Sequence, residues 1–136
     1  MRPISPGVRG NFELIVEPHH LASQFKDSML PPVLATPVMV LVMENAALNA
    51  IRSFLEPGES AVGTVIDVRH IAATPVGHLL RGEAEVVAVD GRRIAFNVVA
   101  SDETEVVGRG THERMVVDIR RVAQRLAAKQ PASKRK

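Results

Sequence analysis

Residues 33–51, VLATPVMVLVMENAALNAI, form the most apolar stretch of the chain, and one acid, Glu44, sits inside it. Thr36 followed by Pro37 reads as a helix start, a capping hydroxyl ahead of proline at the first helical position. Val40, Met43, Ala47, Ile51 and Phe54 then keep helical spacing until Pro57 and Gly58 stop the helix. A helix this apolar around its circumference needs cover on most sides, so the rest of the chain must wrap it. Glu44 has Val40, Leu41, Ala47 and Leu48 at three- and four-residue spacing. A carboxylate among such neighbours has to be paired, protonated or lining a cavity, because an unpaired buried charge is costly. Arg52 and Arg114 are the candidates for a plain ion pair.

The wrapping material is β-prone. Residues 11–17, NFELIVE, alternate apolar and polar and read as a short strand. Residues 18–35, with Pro18, Pro31 and Pro32, read as a loop holding a helical turn. After the long helix, strands are expected over 61–75, 77–90, 93–101 and 104–119, with DGRR at 90–93 as a tight hairpin signal. A short basic helix over 120–129 closes the chain. One strand, one long helix and a series of hairpin-linked strands is an α+β layout: a curved antiparallel sheet around a central helix. Residues 1–129 are expected to form one domain, and 130–136 a basic, disordered tail.

With 136 residues the chain is long enough for a single core. It has no cysteine, which excludes disulfides, thiolate metal sites and a cysteine nucleophile. The start of the chain lacks the apolar core of a signal peptide, and no stretch reaches the roughly 20 apolar residues of a membrane span. A cytoplasmic protein that binds no membrane is therefore expected. Residues 119–136 carry seven of the 17 basic residues and no acid, leaving residues 1–118 with ten basic and 15 acidic residues, a net of −5. A folded nucleic-acid reader would carry its positive charge on the domain. Four phenylalanines, with no tyrosine or tryptophan, also offer little for base stacking. Nucleic acid is not expected as a partner.

Three polar residues stand where the pattern favours apolar ones. Glu44 lies mid-helix. Thr36 stands eight residues earlier, roughly 12 Å along the axis. His70 falls on the inward face of the 61–75 strand with Ile66, Val68 and Ala72. A helix-start threonine is ordinarily a cap, and an inward histidine is more often a bonded core residue than a catalytic one. Gly63 interrupts the same strand, where bare backbone can approach a ligand or simply bulge. Gly108 and Gly110 precede His112 and Arg114 in GRGTHER in the same way.

The stretches LATPVMVLVMENAA, EPGESAVGTVIDVRHIAATPVG, VDGRRIAFNV and GRGTHERMVV resemble the hot-dog-fold thioesterases typified by fluoroacetyl-CoA thioesterase. RHIAATPVG and GTHER in this order are the most specific part, and the similarity runs from about Pro32 to Val117. The resemblance implies a hot-dog homodimer, or a higher homo-oligomer, with active sites at the subunit interface. It implies catalytic roles for Thr36, Glu44 and His70, and substrate contacts at Gly63 (the thioester carbonyl), His70 and Arg114 (coenzyme A). Arg92 or Arg93 is expected to help Arg114 at the phosphates. The implied activity is hydrolysis of a small or short-chain acyl-CoA, with no metal and no cofactor beyond the CoA thioester itself. The segment LASQFKDSMLPP departs from the family's type member, whose lid here is longer and aromatic-rich, so fluoroacetyl specificity is not implied. A hot-dog enoyl-CoA hydratase and a non-catalytic acyl-CoA-binding module are the competing readings; the first would need an aspartate beside His70. Val38, Val42 and Ala46 are expected to wall the acyl pocket.

Overall fold

The computed structural model describes residues 1–131; the remainder of the expected tail, 132–136, lies outside the described residues. Strand β1 (Arg9–Ile15) leads through a 3-10 turn (Pro18–His20) and a single helical turn, α1 (Ala22–Phe25), to the long helix α2 (Thr36–Ile51). Four strands follow, β2 (Glu59–His70), β3 (Leu79–Asp90), β4 (Arg93–Ser101) and β5 (Val106–Asp118), and then α3 (Ile119–Ala128). All the pairings are antiparallel, in the order β1-β3-β4-β5-β2. The α+β architecture read from the sequence is thus present. The second strand stops at His70, and 71–78 form a loop rather than more strand.

Strict alternation along β3 and β4 puts Leu80, Ala84 and Val86, then Ile94, Phe96, Val98 and Ala100, on the concave face. Helix α2 lays Val38, Met39, Val42, Met43, Ala46, Ala47, Ala50 and Ile51 into that face. Each of the larger side chains buried there contributes about 1.5–3 kcal/mol relative to exposure. Contact between helix and sheet is close enough to require a glycine. A β-carbon on Gly82 of β3 would stand 2.6 Å from the Val42 carbonyl oxygen. Val38, Val42 and Ala46, expected to wall the acyl pocket, are all buried in the helix–sheet core.

The helix is covered on one side only. Leu41 remains 48% exposed, and the Glu44 side chain 37%. Expecting this protomer's sheet to surround α2 overestimated what five strands can cover. The uncovered side faces the open end of the sheet, where β2 is the edge strand. Val62, Val65 and Ile66 of that strand are 44%, 46% and 40% exposed. Among the described residues no helix is long and apolar enough to cross a membrane.

Candidate active site

Thr36 is not the cap of α2. Ala35 holds the N-cap position, no side chain caps the helix, and Thr36 and Pro37 open its first turn. The Thr36 hydroxyl is instead turned outward and shares a 2.8 Å hydrogen bond with Nδ1 of His70. The backbone around this pair is pinned from three sides. Leu34 N–H donates to the Thr74 carbonyl at 2.8 Å, Ala35 N–H to the His20 carbonyl at 2.9 Å, and Ile71 N–H to the Val107 carbonyl at 2.8 Å. The Thr74 hydroxyl in turn donates to Asp102 Oδ2 at 2.9 Å, which ties the loop after β2 to the β4–β5 turn.

His70 is half-buried, and burial lowers its pKa from the ordinary histidine value. The Ala72 backbone offsets part of that. Its buried Nε2 nevertheless has no hydrogen-bond partner of full geometry among the described residues. A cavity of about 420 Å³ opens beside the pair, walled by Ala22, Leu30, Val33, Leu34 and Ile71, with Lys26 at its edge. Of the expected acyl-pocket elements, the 18–35 segment does line this cavity. Phe25, the segment's one aromatic, does not.

Glu44 lies in a second cluster. Its Oε2 is 3.9 Å from Nη1 of Arg114, which makes Arg114 the ion-pair partner. Arg52 instead donates to the Asn49 side chain at 3.0 and 3.2 Å. Arg114 is not a surface arginine. It is 7% exposed, donates to the Ala61 carbonyl at 2.7 Å, and meets Nε2 of His112 at 3.1 Å. Burial lowers its pKa and the Glu44 charge raises it again. Gly63 stands directly against this group. A β-carbon there would be 2.6 Å from Glu44 Oε2 and 3.3 Å from His112 Cε1, so only glycine leaves the carboxylate its position. Arg92 and Arg93 engage part-buried acids, Glu59 at 3.2 Å and Glu113 at 3.9 Å.

The fold thus joins Thr36 to His70, and Glu44 to Gly63 and Arg114, but keeps the two groups apart within the protomer. Eight residues of helix, roughly 12 Å, separate Thr36 from Glu44. Seven residues of strand, roughly 23 Å, separate His70 from Gly63. The sequence reading gave no role to His112, the most deeply buried histidine of the chain at 1% exposure. Strand parity was the available signal, since His112, Arg114 and Val116 alternate onto one face of β5.

A curved antiparallel sheet closed over one long helix, with polar groups at the helix's open side, is the architecture of the hot-dog thioesterases. The chain superposes on the solved fluoroacetyl-CoA thioesterase with a TM-score of 0.89 at 36% identity, covering 95% of this chain and 99% of that one. A Thermus thermophilus thioesterase-superfamily member gives a TM-score of 0.81 at 31% identity, over 95% of this chain and all of the other. The chain belongs to the fluoroacetyl-CoA-specific thioesterase family, whose sequence profile matches residues 16–120. The fluoroacetyl-CoA thioesterase of Streptantibioticus cattleyicolor is 39% identical over 131 residues, 93% of this chain and 94% of that protein.

Proposed function

We propose that the protein hydrolyses short-chain acyl-CoA thioesters at a composite site, with Thr36 and His70 from one subunit and Glu44, Gly63 and Arg114 from a second copy. The observation that carries this reading is the separation of the two groups along β2, an edge strand whose apolar side chains are uncovered. Such edges invite pairing. Pairing β2 antiparallel with its copy about a two-fold axis between Ile66 and Asp67, midway from Gly63 to His70, reverses one strand against the other. The His70 end of each then lies beside the Gly63 end of its neighbour. The exposed sides of the two α2 helices approach each other in the same movement, which gives Leu41 and the apolar β2 residues their cover.

In that site the thioester carbonyl oxygen is polarised by the Gly63 N–H, and Glu44 attacks the carbonyl carbon or activates the water that does. Arg114 stands beside Glu44, its Nη1 3.9 Å from the carboxylate, and holds that side chain in place. Water supplies the hydroxyl of the acid product, directly or by opening the Glu44 anhydride; the C–S bond breaks toward sulfur, and His70 Nε2 takes that water's proton and passes it to the thiolate. Thr36 holds the ring by Nδ1, which fixes the direction in which Nε2 points. The acyl group fills the cavity beside Thr36, whose aliphatic walls suit a short saturated chain. Because the segment before Thr36 places no aromatic ring there, fluoroacetyl-CoA has no preference over acyl groups of similar size.

Free thiol released from a panel of acetyl-, fluoroacetyl-, butyryl- and isobutyryl-CoA tests the reading, with Glu44→Gln and His70→Ala as controls. Wild type should exceed both controls on at least one short acyl-CoA. Equal thiol release by all three proteins on every substrate would end the enzyme reading. Thermal stabilisation by acyl-CoA without turnover would replace it with a binding module.

A further inference from the structure

The geometry points to His112 as a positioning residue: as the Nδ1–H tautomer it ties the β2 bulge to Arg114 and so fixes the guanidinium beside Glu44. The tautomer follows from its two neighbours. Nδ1 lies 2.7 Å from the Val65 carbonyl oxygen, which can only accept, so Nδ1 carries the proton. Nε2 lies 3.1 Å from Arg114 Nη1, which can only donate, so Nε2 is the bare lone pair. A second proton would remove the acceptor that Arg114 uses and set two cations against each other.

Both ends of this strut matter to the Glu44 cluster. The β2–β5 register slips between Gly63 and Val65, so Thr64 is the inserted residue and Gly63 sits on the rim of the bulge. His112 grips the bulge from the core side, while the Thr64 hydroxyl holds the Glu113 carbonyl at 3.2 Å. At the other end, His112 and the Ala61 carbonyl are the two acceptors of the Arg114 guanidinium, whose Nε has no partner among the described residues. Without His112 one hydrogen bond remains, and Arg114 can swing away from Glu44. The surroundings agree with a neutral ring. Burial holds its pKa below the ordinary value, with the Val65 carbonyl acting against this, Arg114 with it, and Glu44 and Glu113 against it. The ring also stacks on Phe96, with centroids 5.8 Å apart.

The role rests on the thioesterase reading, so two measurements of different kinds test it. The first ranks substitutions by acyl-CoA turnover. His112→Gln puts an amide oxygen where Nε2 accepts from Arg114, whereas His112→Phe keeps the stacking and volume but makes neither bond. Loss of a hydrogen bond to a charged group predicts that Phe falls by about ten- to hundred-fold in kcat/KM. Gln should recover most of that loss. A histidine that only fills the core gives the opposite order, and Phe equal to or better than Gln overturns the proposal. The second measurement needs no activity: nitrogen NMR of histidine-labelled wild type should show His112 protonated at Nδ1 and bare at Nε2 throughout the range in which an ordinary histidine titrates. A protonated Nε2 in the neutral ring, or ordinary titration, overturns the proposal even if every variant fails to fold.

Discussion

The two ends of the open side of α2 are built differently. At the Thr36 end, one hydrogen bond joins a helix-start hydroxyl to an edge-strand histidine, and an apolar cavity lies beside them. At the Glu44 end the neighbours are polar: a buried arginine, a histidine and a bare glycine backbone lie against a part-exposed carboxylate. The first end can receive an acyl chain and move a proton. The second can hold charge and polarise a carbonyl. Neither is a complete hydrolytic site, which is why the proposal needs two subunits. The largest expected effect breaks either end alone: Glu44→Gln and His70→Ala should each lower kcat by about 10²–10⁴-fold, the range for a general acid or base. Mixing the two dead variants under conditions of subunit exchange sharpens the comparison. Half the dimers then contain one intact site of two, so about a quarter of wild-type activity should return. If the mixture stays inactive although mass analysis shows heterodimers, both ends work within one protomer.

Glycines separate the site from its scaffold. A methyl group at Gly63 meets the far end of the Glu44 side chain, which can move, whereas one at Gly82 meets the Val42 backbone, which cannot. Gly63→Ala should therefore cost about tenfold or more in kcat/KM while the melting temperature stays near wild type. Gly82→Ala should cost about 1–3 kcal/mol of stability by forcing helix and sheet apart. Its activity per folded molecule should remain close to wild type, as followed by thiol release and denaturant unfolding on the same samples. A reversed pattern would mean that Gly63 serves only strand curvature. Thr36→Val should fall between, losing about tenfold in kcat as His70 loses its fixed direction.

The elements were legible because their patterns are strong. Period-two alternation gave β4 at 93–101 unchanged, and proline with glycine marked the end of α2 to within a few residues. Thr36, Glu44 and His70 were found because each breaks an apolar pattern. What pattern could not supply was depth. Periodicity says that Arg114 faces inward, but only the strand order shows it buried beneath Glu44 and not meeting solvent. The same limit made Thr36 look like a cap. A hydroxyl at a helix start has two outlets, the helix's own N–H groups and whatever packs across from it. His70 becomes its neighbour only once β2 has folded back beside the start of α2. Glu44 looked fully buried because its sequence neighbours are apolar, yet Leu41 on the same side is also uncovered.

The smallest effect to expect is on pH dependence. His70 and His112, one at each end, both have pKa values lowered by burial, and so does His20. A histidine held neutral in the folded chain stabilises nothing by charge. As pH falls below about 6.5, the unfolded chain takes up a proton that the folded chain refuses, and stability declines. Asp102, whose pKa is also lowered although burial acts against this, adds its loss only further down, as pH falls through the carboxylate range. Between about pH 7 and about pH 5 the melting temperature should therefore drop by about 2–5 °C. The histidine at each end can be removed in turn to apportion the slope. His70→Gln and His112→Gln should each flatten it, because each takes away one group whose pKa is lower in the folded chain than in the unfolded one. An unchanged slope in His112→Gln, beside a flattened one in His70→Gln, would mean that the Glu44 end already accepts a proton when folded. The comparison between an apolar, proton-moving end and a polar, charge-holding end would then have to be redrawn.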